Sequence, residues 1–72
     1  MYGYDCTSED IMVLKIGITQ EFARRYGMSI RDVVSLFEKN GIYPFIEDGA
    51  DQFITKTYPY MASFIGRKLG MS

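Results

Sequence analysis

Few side chains in this sequence could take part in catalysis. The chain has no histidine, which removes the commonest general base, the usual zinc ligand and every catalytic triad that depends on imidazole. Its single cysteine, Cys6, cannot form an internal disulfide and has no neighbouring base to stabilise a thiolate. The glycines are scattered singly, so no phosphate-binding loop is indicated. The sequence therefore predicts neither an enzyme nor a bound cofactor.

One acidic group, formed by Glu47, Asp48 and Asp51, is the remaining candidate for a metal site. Carboxylates at this spacing could contact a divalent cation. A calcium loop, however, needs alternating oxygen ligands over about twelve residues, and the sequence does not supply them. We interpret the group as a solvated face and predict no metal ligand.

The composition indicates a single folded domain, because 72 residues allow no more than one and 47% of them are apolar. The apolar runs are too short to span a bilayer. The net charge of −1 gives no overall attraction to nucleic acid or to an anionic membrane. The start of the sequence has no signal-peptide pattern, so we expect a cytoplasmic location.

Apolar residues that recur every three or four positions predict an all-α fold, a compact bundle of about four helices. Residues 1–7 are expected to be a flexible lead-in and residues 8–72 a single helical domain. The helices are predicted from Thr7 or Ser8 to about Tyr26, over residues 30–39, within residues 42–54, and from residue 57 or 58 to about 69. A strand at residues 42–46 is the alternative for the third helix, but no second strand pattern exists to pair with it.

The first predicted helix is long and apolar over more than one face. One stripe is formed by Ile11, Leu14, Ile18, Phe22 and Tyr26, and the apolar surface is widened by Met12, Val13 and Ile16. Gly17 interrupts this helix at a cost of ~1 kcal/mol relative to alanine unless another group packs closely there. We therefore predict a close contact at Gly17.

A tight corner is predicted between the first two helices. Gly27 can adopt the left-handed conformation that ends a helix, and Ser29 can cap the next helix, with Asp32 three residues later as an imperfect capping box. The corner fixes how the first two predicted helices cross.

The residues around this corner resemble the DNA-binding helix-turn-helix family over about twenty residues, through the spacing of Ala23, Gly27 and Val33. The resemblance implies DNA binding by residues 20–39. Arg24, Arg25 and Arg31 would then contact phosphates. The positions expected to face a groove supply one arginine and two β-branched apolar residues, a poor set for reading bases, so a purely structural corner is the favoured interpretation.

A second resemblance covers most of the chain. Leu36-Phe37-Glu38-Lys39-Asn40-Gly41-Ile42 contains the landmark Leu-Phe-x-Lys-x-Gly followed by an apolar residue. The same order of landmarks continues in Phe45-Ile46, Asp51, Thr55, Tyr60 and Ile65. From Glu21 to Ile65 the sequence resembles a small bacterial family of all-helical domains of unknown function. It departs at Ile54, where the family often has histidine before threonine.

The family resemblance implies an all-helical fold, a bacterial cytoplasmic location and no assigned activity. Relatives look like companions of larger neighbouring proteins, some of them similar to ADP-ribosyltransferases. This implies an antitoxin-like protein or a regulatory adaptor. A role that depended on the histidine before threonine would not apply here.

The aromatic surplus of this small domain favours a protein-interaction function, with a protein partner or with a second copy of the chain. We predict that Tyr43, Phe45, Tyr58 and Tyr60 contact the partner, because aromatic residues anchor interfaces and these four flank helix joints. The alternative, that they belong to the core, is left open by the sequence. A membrane partner is not expected, and the charge balance argues against nucleic acid.

Overall fold

The computed structural model describes residues 8–71, which form an all-α bundle. Its helices are α1 (Ser8–Tyr26), α2 (Ile30–Lys39), α3 (Ile42–Asp48), α4 (Ala50–Phe53) and α5 (Tyr58–Lys68). Within this range no strand is present, so the predicted fold class is confirmed and the strand alternative at residues 42–46 is wrong. The predicted lead-in over residues 1–7 lies outside the described residues.

The corner between α1 and α2 has the predicted geometry. Gly27 adopts the left-handed conformation with φ of +66°. The backbone N–H of Met28 donates to the carbonyl of Ala23 at 2.9 Å, which closes the end of α1. Ser29 Oγ then accepts a hydrogen bond from the N–H of Asp32 at 3.1 Å and caps α2.

The segment predicted as one short third helix forms two helices instead, α3 and α4, which are separated at Gly49. At this glycine φ is −105° and ψ is 14°, and its N–H donates to the Phe45 carbonyl at 3.2 Å to end α3. The Phe53 ring occupies the space next to the Gly49 Cα, where a Cβ atom would lie 2.7 Å from two ring atoms. The close packing of the Phe53 ring therefore requires a residue without a Cβ atom at position 49.

The helix α5 begins and ends near the predicted residues. Thr57 caps it, since its Oγ1 accepts a hydrogen bond from the N–H of Tyr60 at 3.2 Å. Pro59 lies in the first turn, where its missing N–H costs nothing. After the last turn, Gly70 adopts a left-handed conformation with φ of +80°.

The core lies between α1, α2, α3 and α5. Phe37 of α2 is fully buried at its centre, with ring centroids 4.9 Å from Phe22 and 5.5 Å from Tyr43 in edge-to-face geometry. The buried apolar residues are Leu14, Ile18, Phe22, Ala23, Val33, Phe37, Ile42, Ile46, Ala50, Met61, Ala62 and Ile65.

Two tyrosines pack directly against glycines where α1 and α5 meet. Tyr58 lies over Gly17, and a Cβ atom on that glycine would be 2.6 Å from each of two ring carbons. Tyr26 lies against Gly66 in the same way, with its Cζ 2.7 Å from the Cβ position. The predicted close contact at Gly17 is confirmed, and the two pairs fix the approach of the helices near both ends of their contact.

Candidate functional site

Most of the exposed large apolar side chains in the described part of the chain belong to α1 and α2. On α1, Met12 is 60%, Val13 53% and Ile16 51% exposed, and on α2 Ile30 is 48% exposed. Scattered single apolar residues are normal on a protein surface, whereas a contiguous group indicates a contact surface. Three of these four side chains surround the same depression.

This depression, the α1–α2 groove, is lined by apolar side chains of both helices, Met12 and Ile16 from α1 and Ile30 and Val34 from α2. Its volume is about 290 Å³. Met12 and Ile16 are four residues apart, as are Ile30 and Val34, so each pair lies one turn apart on one helix face. The groove can therefore take up apolar side chains from another molecule.

The two hydroxyl groups that line the groove have hydrogen-bond partners within the protein. Thr19 is buried, and its Oγ1 donates to the Lys15 carbonyl one turn earlier at 2.7 Å. The Tyr43 hydroxyl lies 2.7 Å from the same oxygen and donates to it, because the single Thr19 proton is already used. A hydroxyl pair that is satisfied in this way can be covered without leaving an unpaired polar atom.

One end of the groove is marked by an ion pair. Lys15 pairs with Glu47 of α3, and its Nζ lies 5.8 Å from the centroid of the Tyr43 ring. This contact links α1 to α3.

The acidic group predicted as a solvated face lies at the surface. Glu47 is in the ion pair with Lys15, and Asp48 and Asp51 are exposed. Among residues 8–71 no group of three or more metal-binding side chains occurs.

The four residues predicted to contact a partner lie in three different places. Tyr43 is half-buried in the groove, and Tyr58, 39% exposed, covers Gly17. Phe45 and Tyr60 both contact the Phe64 ring, at centroid distances of 6.0 and 6.5 Å. The structure therefore groups Phe45 with Tyr60 and separates them from the groove residue Tyr43.

The arginines of the DNA-binding alternative flank the corner at Gly27. Arg24 is exposed and paired with Glu21 on the same helix, with its Nη2 3.1 Å from the Glu21 Oε2. Arg25 and Arg31 are exposed. The apolar Ile30 is exposed in the first turn of α2, the segment that would enter a DNA groove.

Sequence reasoning missed the groove residues as a site. It assigned Met12 and Ile16 to a widened apolar face of the first helix and placed Ile30 and Val34 within the second predicted helix, without joining the four residues into one site. The available signal was the width of the apolar surface on α1, since a helix with more than one apolar stripe needs more than one covering neighbour. In the structure, Leu14 and Ile18 are buried, whereas Met12 and Ile16 are exposed to solvent.

Comparison of the chain with protein-family models, curated proteins and solved structures finds no match. The two resemblances drawn from the sequence are not tested by this result and stay predictions. Within residues 8–71, no helix has both the length and the apolar character that crossing a bilayer requires.

Proposed function

We propose that this protein is a small helical interaction domain that binds a protein partner in the α1–α2 groove. The observation that supports this function is the concentration of Met12, Ile16 and Ile30 around one depression, in which the Thr19 and Tyr43 hydroxyls are already hydrogen-bonded to each other. An adaptor-like or antitoxin-like role in the bacterial cytoplasm, implied by the family resemblance, is one form that such binding could take.

The exposed apolar surface gives binding a measurable driving force. Complete burial of a large apolar side chain gains roughly 1.5–3 kcal/mol, so covering the exposed half of one such side chain gains about 1 kcal/mol. Met12, Ile16 and Ile30 are each about half exposed. Together they supply about 3 kcal/mol, or roughly a hundredfold in affinity. A partner must add contacts of its own, because association also costs translational and rotational freedom.

Photocrosslinking tests the location of binding. A photoreactive phenylalanine analogue is placed at Ile16, at Tyr60 or at Asp48, one position per variant, in the full chain expressed in cells of the organism that encodes it. Tyr60 represents the aromatic residues predicted from the sequence, and Asp48 is an exposed polar control. We expect irradiation to give a discrete adduct from position 16, because that position lines the groove.

The companion change Met12→Asp puts a charge on the apolar wall and should abolish the adduct from position 16. Because Met12 is mostly exposed, this change should leave the helical circular dichroism signal intact. An adduct from position 60 alone would overturn the groove proposal in favour of the aromatic residues. Equal labelling from all three positions, or none from any, would also refute it.

A further inference from the structure

The exposed face of α2 beside the groove carries two opposite charges with regular spacing. Arg31, Val34 and Glu38 are separated by three and four residues, so they lie along one side of the helix. Val34 also lines the groove, which places the charges along its edge. Among residues 8–71, neither Arg31 nor Glu38 has an ion-pair partner. The two charges are therefore available to another molecule.

The spacing makes this face complementary to itself. In an antiparallel pair of identical helices related by a two-fold axis, residues equally distant from the axis meet. The point halfway between Arg31 and Glu38 lies between Val34 and Ser35. An axis at this point places Arg31 opposite Glu38 of the partner subunit, and the same contact occurs a second time by symmetry.

From this complementarity we infer that the occupant of the α1–α2 groove is a second copy of this chain, docked antiparallel along α2. The inference rests on the proposed function and names its partner. Val34 lies at the centre of the contact, and Ile30 lies one turn away on the groove side. The two Arg31–Glu38 pairs, about 10.5 Å apart along the helix, fix the register at the rim.

Two properties of the chain bear on the strength of this dimer. The net charge of −1 means that two copies repel each other only weakly. The contact is small, however, because the ten residues of α2 extend over about 15 Å, whereas a stable complex buries about 800 Å² on each partner. The dimer is therefore weak, with a dissociation constant in the micromolar range or above.

Charge reversal tests the pairing. Sedimentation equilibrium is measured for the full chain from micromolar to millimolar concentration, for the unchanged protein, for Arg31→Glu, for Glu38→Arg and for the double variant. Each single change converts two attractive contacts into two repulsive ones, so the dissociation constant should rise about tenfold. The double variant restores opposite charges and should return to within about threefold of the original value.

Arg25→Glu is the matched control. It changes the net charge as Arg31→Glu does, at an exposed arginine of α1, and should leave the dissociation constant unchanged. Circular dichroism of each variant checks that the helices are intact; all three positions are exposed, so no loss of fold is expected. Lower salt should tighten the dimer of the unchanged protein, since the rim contacts are ionic.

The results separate the two proposals. A monomer at every concentration, or single reversals that the double variant does not rescue, overturns self-docking through α2. If position 16 then crosslinks to a different protein, the interaction function stands and only the identity of the partner is wrong. An adduct of twice the chain mass, together with rescue by the double variant, supports both proposals. If none of the three positions gives an adduct, the proposed function itself is refuted.

Discussion

Replacing Gly17 by alanine should destabilise the protein, although the same change normally stabilises a helix. Alanine in a helix interior is favoured over glycine by about 1 kcal/mol. Here the new methyl group would overlap the Tyr58 ring, because the Cβ position lies 2.6 Å from two of its carbons. The ring must therefore move away from Gly17, and we expect it to move outward because Tyr58 is already 39% exposed.

The size of the effect follows from how much of Tyr58 is buried. The residue is 39% exposed, so about three-fifths of its surface is covered. A buried aromatic covers 150–250 Å², so displacing the ring exposes on the order of 100 Å² and costs about 2.5 kcal/mol. Subtracting the gain in helix propensity leaves a loss of about 1.5 kcal/mol in the free energy of unfolding. This corresponds to a drop in melting temperature of roughly 6–12 °C.

A double-mutant cycle isolates this contact. In a Tyr58→Ala background there is no ring to displace, so Gly17→Ala should stabilise the protein by about 1 kcal/mol. In a Tyr58→Phe background the ring remains, and the destabilisation should persist. Urea unfolding followed by circular dichroism gives all the free energies. If Gly17→Ala stabilises the protein equally in every background, Tyr58 does not cover Gly17 and the described contact between α1 and α5 is wrong.

Three further predictions concern the corner, the groove and the DNA alternative. Gly27→Ala forces a Cβ atom into a left-handed conformation and should lower the free energy of unfolding by about 1 kcal/mol, with Gly27→Asn costing less in the same urea experiment. Thr19→Val and Tyr43→Phe each break the hydroxyl pair, and each should lower the free energy of unfolding by about 1 kcal/mol. If the two losses add in the double variant, the two hydroxyls are not bonded to each other. In a fluorescence titration with random duplex DNA at low salt, we expect no binding at micromolar protein. If the protein instead binds in a salt-dependent way, and the variant Arg31→Ala does not bind, the helix-turn-helix function is established.

The helices and their ends could be predicted because their signals are local. A helix-ending glycine and a capping hydroxyl lie within a few residues of the ends that they define, as Gly27 and Ser29 do at the corner and Thr57 does at α5. The division at Gly49 was not predicted as a break between two helices. The apolar period continues across Gly49, and the packing of the Phe53 ring against this glycine is a contact that periodicity does not reveal.

The groove could not be predicted, because periodicity shows which residues are apolar and not which of them a neighbour covers. Ile16 and Ile18 have the same side chain in the same helix, yet Ile16 is 51% exposed and Ile18 is fully buried. The difference arises from where α2 and α5 cross α1, and that depends on contacts distant in sequence. The aromatic residues chosen from the sequence were selected by type alone, and the structure distributes them over three separate environments.

The contact between α1 and α5 has a consequence for synthesis on the ribosome. The helix α1, which is synthesised before α5, packs its buried residues Leu14 and Ile18 into a core that also contains Met61 and Ile65 of α5. A nascent chain that ends before α5 therefore exposes apolar surface on α1 that the finished protein conceals. This core cannot be completed until α5 has been synthesised, and until then the exposed apolar surface of α1 favours aggregation.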